Sequence, residues 1–177
     1  MGLENKKYLI SIDQSLRNSG INVFDIQTSQ VIYRKTVEFR ENVEDWSDVF
    51  KSAVNLIRTL LNEVIKDESI LDFYIVRENH SMTQFGNGSK NIELAGAIDF
   101  FFLSKGFRIN YDYFKIFPRV WMKKFGVKKP KRVSKSGKTS SLDHKKYIEI
   151  CPFGKTEHEV DSYFIGKYVL EEIVAKK

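Results

Sequence analysis

The sequence predicts an α/β chain: a five-stranded mixed sheet, its first three strands antiparallel, flanked by helices. Three short runs rich in β-branched and aromatic residues follow one another before residue 40 with only turn-length connectors, so they pair in order. The run LDFYIVRE (71–78) has no polar side, as a strand covered on both faces requires. Stretches of helical spacing separate it from its neighbours on both sides, which is what parallel crossovers need.

The first strand is KYLISID (7–13), the second GINVFDI (20–26) and the third QVIYRKTVEF (30–39), with SLRNS and QTS supplying the turns. From Val43 to Ile65 apolar residues recur at three-and-four spacing (Trp46, Val49, Phe50, Ala53, Val54, Ile57, Leu60, Leu61, Val64), one face of a long amphipathic helix. LDFYIVRE follows, and a polar, Gly-containing loop (NHSMTQFGNGSK) leads to a helix from about Asn91 to Lys105. Its Ala95, Gly96 and Ala97 would permit close packing on the sheet. RINYDYFKIF (108–117) reads as the fifth strand. Pro118 opens a short helical turn through Trp121 and Met122, residues 139–151 read as a short capped helix, and Glu157 or His158 opens the last helix, running toward the C-terminus.

At 177 residues, 42% hydrophobic and 14% aromatic, the chain fits one domain (1–177) with a real core. No apolar run spans a bilayer and the N-terminus lacks an apolar signal stretch, so a cytoplasmic protein without a membrane partner is expected. Cys151, the lone cysteine, suits a reducing compartment and reads as a small core residue. Between Lys123 and Lys138 stand eight Lys or Arg and no acid; subtracting these from the net charge of +6 leaves −2 for the rest. A mobile basic segment at about 126–140 is expected, either gripping a polyanion or simply solvated.

The first and fourth strands both end on an acid, Asp13 and Glu78. Ligands of such sheets sit at the carboxyl ends of the central strands, so both side chains could face one small volume. Asp161, in the first turns of the last helix, and His158, one turn earlier, share a helical face. Clustered, half-buried carboxylates repel unless a cation neutralises them. Two Mg²⁺ ions held by oxygen ligands could activate a water and stabilise the leaving oxygen of a phosphodiester. Taken singly, Asp13 also fits a turn, Glu78 an exposed strand end, and Asp161 a favourable first-turn acid.

The segment SIDQSLRNSGINVFD resembles the opening of the RuvC-like Holliday junction resolvases of the RNase H-like superfamily. In that family a hydrophobic strand ends in Asp, Leu and Arg follow in the turn, and Gly starts the second strand; Asp13, Leu16, Arg17 and Gly20 match. The family usually has Pro and Gly after the Asp, where this chain has Gln14 and Ser15. YIVRENHSMTQFGNG resembles the strand ending in the catalytic Glu and the loop after it. The Pro-x-x-Trp-x-Lys-Lys run from Pro118 is similar to that of shorter phage-type members, and HEVDSYFIGKYVL resembles their closing helix.

The resemblance implies an RNase H-like fold and a homodimeric crossover junction endodeoxyribonuclease that nicks opposed strands of four-way (Holliday) DNA junctions, acting in a bacterial or phage-infected cell. The implied cofactor is Mg²⁺, two per site, with Mn²⁺ able to substitute. Asp13 would hold both metals, Glu78 and Asp161 one each, and His158 would bind a metal or orient the attacking water. Lys123, Lys124, Lys128, Lys129, Lys131, Arg132, Lys135 and Lys138 would grip phosphates, and Phe85 would stack on an unpaired base, unless it is a loop hydrophobe packed on the domain. Rival readings are a nuclease of this fold on hybrids, flaps or other branched DNA, a non-catalytic nucleic-acid-binding module, and, from the DQSLRNSG turn, an actin-like ATPase, for which one domain is too little.

Overall fold

In the computed structural model, residues 6–39, 45–66, 68–79, 87–128, 147–151 and 154–175 are described. Strands β1 (Tyr8–Asp13), β2 (Asn18–Asp25) and β3 (Val31–Glu38) pair antiparallel in sequence order, with Asp13 opposite Gly20 and Gly20 opposite Thr36. Strand β4 (Phe73–Glu78) lies parallel to β1 on its other side, and β5 (Tyr113–Ile116) parallel to β4, giving the order β3-β2-β1-β4-β5. Every residue of β4 is buried, its closing Arg77 and Glu78 as well as the apolar run before them.

Alternation along the central strands sends successive side chains to opposite faces and creates two cores. On one face Ile10, Ile12, Phe73 and Ile75 meet helices α1 (Trp46–Thr59) and α2 (Asn87–Ser104) through Val49, Leu56, Leu94, Ile98 and Phe102. On the other, Leu9, Tyr74 and Val76 meet α3 (Pro118–Phe125) and α4 (Glu157–Val169). Trp121, fully buried, stacks on Phe164 with parallel rings 6.0 Å apart and so locks α3 to α4. Pro118 at the first turn starts α3, and Gly126, at φ +64°, stops it in the left-handed conformation that glycine accepts without strain. Cys151 is buried in this second core, as expected.

Several boundaries differ from the sequence expectation. The first helix starts at Trp46 because Asp45 caps it, accepting from the amides of Ser47 and Asp48. Its last stretch, Leu60–Ile65, widens into a π-turn that closes on Leu61. The expected strand from residue 108 shrinks to Tyr113–Ile116, since Asp112 folds back onto the amide of Arg108 and Asn110 takes φ +65°. Helix α2 begins a turn earlier than expected, and Gly96 on it faces open space, so that glycine does not serve close packing on the sheet. The helix expected over 139–151 lies mostly outside the described residues; 147–149 form a helical turn. Among the described residues no helix is long and apolar enough to cross a membrane.

Candidate metal centre

Strands β1 and β4 pair as far as Ile12 and Arg77, so Asp13 and Glu78 stand just past the end of the ladder. Both belong to the alternate positions that face α4, in line with Leu9 and Ser11 on one strand and Tyr74 and Val76 on the other.

Helix α4 approaches this edge closely because small and polar side chains make room and hold it. A Cβ on Gly20 would lie 2.0 Å from the His158 carbonyl oxygen, and one on Gly166 would lie 2.3 Å from the Phe24 ring. Ser11 donates to the Ser162 carbonyl, and Asn22 Nδ2 donates to the Glu159 carbonyl at 2.9 Å and to Ser162 Oγ at 2.6 Å. Thr156 caps the helix by accepting from the Glu159 amide, while the Glu159 carboxylate takes hydrogen bonds from the Lys155 amide at 2.8 Å and the Thr36 hydroxyl at 3.0 Å. Residues of β1, β2 and β3 therefore fix the helix's first turns, and those turns carry His158 and Asp161.

The outcome is that one carboxylate oxygen from each of Asp13, Glu78 and Asp161 lies within 4.8 Å of the others. The three residues are 4%, 5% and 3% exposed. His158, with a side chain 28% exposed, sits on the solvent side with Nδ1 2.6 Å from Asp13 Oδ2. Tyr147, buried, donates its hydroxyl to Asp161 Oδ1. Burial, and after it the Asp161 charge, push this phenol far above the ordinary tyrosine range, so it stays a donor. Behind the strand end, the main-chain carbonyl of Glu78 accepts from Gln14 Nε2 and from Arg77 Nη1, each at 2.6 Å.

Three buried carboxylates with an imidazole at the rim form a hard oxygen and nitrogen donor set without a thiolate, since Cys151 belongs to the core. That set fits an oxygen-seeking divalent cation. The buried guanidinium of Arg77 serves instead the other face, where it meets Asp99 at 2.6 Å and 2.8 Å and the Tyr113 hydroxyl at 2.9 Å. Lys115 joins the same carboxylate at 2.7 Å. Burial alone would raise the Asp99 pKa; the hydrogen bonds from Arg77, Lys115 and Tyr113 outweigh it and hold the carboxyl below its ordinary range.

The expected quartet Asp13, Glu78, His158 and Asp161 is thus brought together. Lys123 and Lys128 are exposed, and Lys124 ion-pairs with Glu172 at 2.5 Å, so a phosphate would compete with that acid for it. Phe85, Lys129, Lys131, Arg132, Lys135 and Lys138 lie outside the described residues. Sequence reasoning missed Tyr147 and the pairing role of Gln14. Tyr147 belongs to no motif; Gln14 carries a signal, a long amide directly after a strand-end acid.

No family model matches the chain, and no curated protein matches it. Among solved structures it is similar to the Thermus thermophilus RuvC in complex with Holliday junction substrate (TM-score 0.59, 12% identity, 96% of this chain and 94% of that one). A second Thermus thermophilus RuvC structure matches with TM-score 0.59 and 10% identity over 95% of this chain and 96% of that one. The yeast mitochondrial Holliday junction resolvase Ydc2 matches with TM-score 0.55 and 13% identity over 94% of this chain and 78% of that one. The chain has the RuvC-like resolvase fold, a five-stranded mixed sheet of RNase H-like type flanked by helices.

Proposed function

We propose that this chain is a metal-dependent endonuclease that nicks opposed strands of four-way DNA junctions by phosphodiester hydrolysis. The observation that carries the reading is the convergence of Asp13, Glu78 and Asp161 within 4.8 Å at the strand ends of a RuvC-like fold. The carboxylates would hold two Mg²⁺ or Mn²⁺ ions, which supply water activation and neutralise charge developing on the phosphate.

The chain's own residues do the rest. Asp13 would hold both ions, and Glu78 and Asp161 one each, as their mutual closeness allows. His158, at the rim, accepts or donates a proton at Nε2 while Nδ1 stays on Asp13, and so orients the attacking water. Tyr147 holds the Asp161 carboxylate in one rotamer. Lys123 and Lys128, both exposed, would contact phosphates of the bound DNA, which positions it without reading its bases. Lys129, Lys131, Arg132, Lys135, Lys138 and Phe85 are proposed to extend that contact surface.

A homodimer is part of the reading. Phe50, Val54 and Leu61 on the helix formed by α1 and its π-turn, and Phe100 and Leu103 on the adjoining α2, stand exposed, Phe100 at 76%. A second copy covering this face would present two equivalent sites to two equivalent strands.

The test is cleavage of a four-way junction, a flap and an RNA–DNA hybrid in Mg²⁺, Mn²⁺, Ca²⁺ and EDTA. The reading predicts paired nicks on the junction in Mg²⁺ and Mn²⁺, binding without cutting in Ca²⁺, and nothing in EDTA. Preferential cutting of hybrid or flap would move the substrate to the rival nuclease reading, and cutting in EDTA would remove the metal.

A further inference from the structure

The ladder between β1 and β4 ends at Ile12 and Arg77. One residue on, the Glu78 carbonyl is met by side chains instead, Gln14 Nε2 from the chain after β1 and Arg77 Nη1 from its own strand, each at 2.6 Å. Gln14 is 1% exposed, and its Oε1 is buried with no hydrogen-bond partner among the described residues. The amide's orientation follows, because turning it would set two acceptors against each other. An apolar side chain of the same length would fill the space without burying a bare oxygen. The amide's contribution therefore lies in the bond it makes, and the bond ends on Glu78.

Gln14 is covalently joined to Asp13, so the path Asp13, Gln14, Glu78 carbonyl spans the gap between the two strands where their own pairing stops. Arg77 completes the clamp and is itself held by Asp99, which accepts from Arg77 and from Lys115 on the neighbouring strand. In the turn after Gln14 the Ser15 amide donates to Ser19 Oγ at 3.2 Å and Ser19 Oγ donates to the Ser15 carbonyl at 3.1 Å. Gln14 itself points inward.

We infer that Gln14 is a positioning residue that sets the spacing of the Asp13 and Glu78 carboxylates and so tunes metal affinity. The inference rests on the proposed metal centre. Two strand-end acids joined only through the sheet could splay under their mutual repulsion, and a bond across the fork opposes that motion.

Calorimetric titration of the full chain with Mn²⁺ alone, together with thermal unfolding, tests it. Wild type is expected to bind Mn²⁺. Gln14→Met, which removes the donor and the bare acceptor at similar volume, is expected to keep the Tm within about 3 °C. The same variant is expected to weaken Mn²⁺ binding about tenfold, and to raise the Mg²⁺ needed for half-maximal cleavage by the same factor. Gln14→Asn, which keeps an amide but falls one methylene short, should weaken Mn²⁺ equally and serves if the Met variant unfolds. Affinity unchanged within twofold in a folded variant overturns the inference and leaves the metal centre standing. A wild-type chain that binds no Mn²⁺ overturns both.

Discussion

Gly20→Ala probes how the centre is assembled without touching any acid. Gly20 pairs with Asp13 across β1 and β2, and its backbone needs no left-handed conformation, so only space decides the outcome. A Cβ there would meet the His158 carbonyl oxygen at 2.0 Å, its carbon at 2.3 Å and the Glu159 nitrogen at 2.9 Å. All are backbone atoms of the first turn of α4 and cannot rotate away. Restoring ordinary contact at 3.4 Å moves that turn by about 1.4 Å. The bonds from Asn22 and from Thr36 to the Glu159 region resist the shift. Overpacking of this kind costs about 1–3 kcal/mol, and at this chain length each kcal/mol lowers Tm by about 2–4 °C. Because His158 and Asp161 ride on the displaced turn, a misplacement above 1 Å should cut junction cleavage about a hundredfold. Calorimetric unfolding and single-turnover cleavage read the two effects. An unchanged Tm with wild-type cleavage would refute the claim that close docking of α4 builds the site.

Three further outcomes follow from named contacts. Tyr147→Phe deletes the donor to Asp161 Oδ1, and is expected to cost about 1 kcal/mol of stability and to weaken Mn²⁺ binding about tenfold, read by thermal unfolding and calorimetry. Asp99 is held below the carboxyl range that starts from 3.8 in the unfolded chain, so it binds its proton more readily unfolded than folded. The stability it contributes is full above that value and is lost as pH falls through the lower folded one, so acid unfolding of wild type should steepen below about pH 4, and that steepening should be smaller in Asp99→Asn. Gly96→Ala, on an exposed helix position with nothing within 4 Å in the chain, should gain about 0.5–1 kcal/mol, read as a rise in Tm; an unchanged or lower Tm would contradict it.

The sheet was legible because its strands are rich in β-branched and aromatic residues between turn-forming connectors, and because the Phe73–Val76 run of β4 is apolar on both faces. Strand β5 was overestimated because RINYDYFKIF has a strand's composition throughout, while the Asp112 side chain competes for the backbone of its first half and turns it. The π-turns that end the helices at Leu60–Ile65 and Leu170–Val174 leave no trace in periodicity, which stays helical through them. Asp13 and Glu78 stood out as acids ending apolar strands, and the helical spacing of His158 and Asp161 placed those two together. Tyr147 was invisible because only tertiary folding brings it to Asp161, out of a polar stretch with no spacing rule. The small residues that admit α4, Gly20 and Gly166, have meaning only against the atoms facing them. Gln14 was noticed as a departure from a turn pattern, but its bond to Glu78 spans two strands and could not be read along one.

The most direct test of the account is cleavage of a four-way junction in Mg²⁺ by wild type and by Asp13→Asn, Glu78→Gln and Asp161→Asn, with junction binding measured in parallel. The account predicts paired nicks by wild type and none by any of the three. Junction binding should be retained or tightened in each variant, because negative charge facing phosphate has been removed. Cleavage surviving in all three variants, or wild type that binds the junction in Mg²⁺ and leaves it whole, would contradict it.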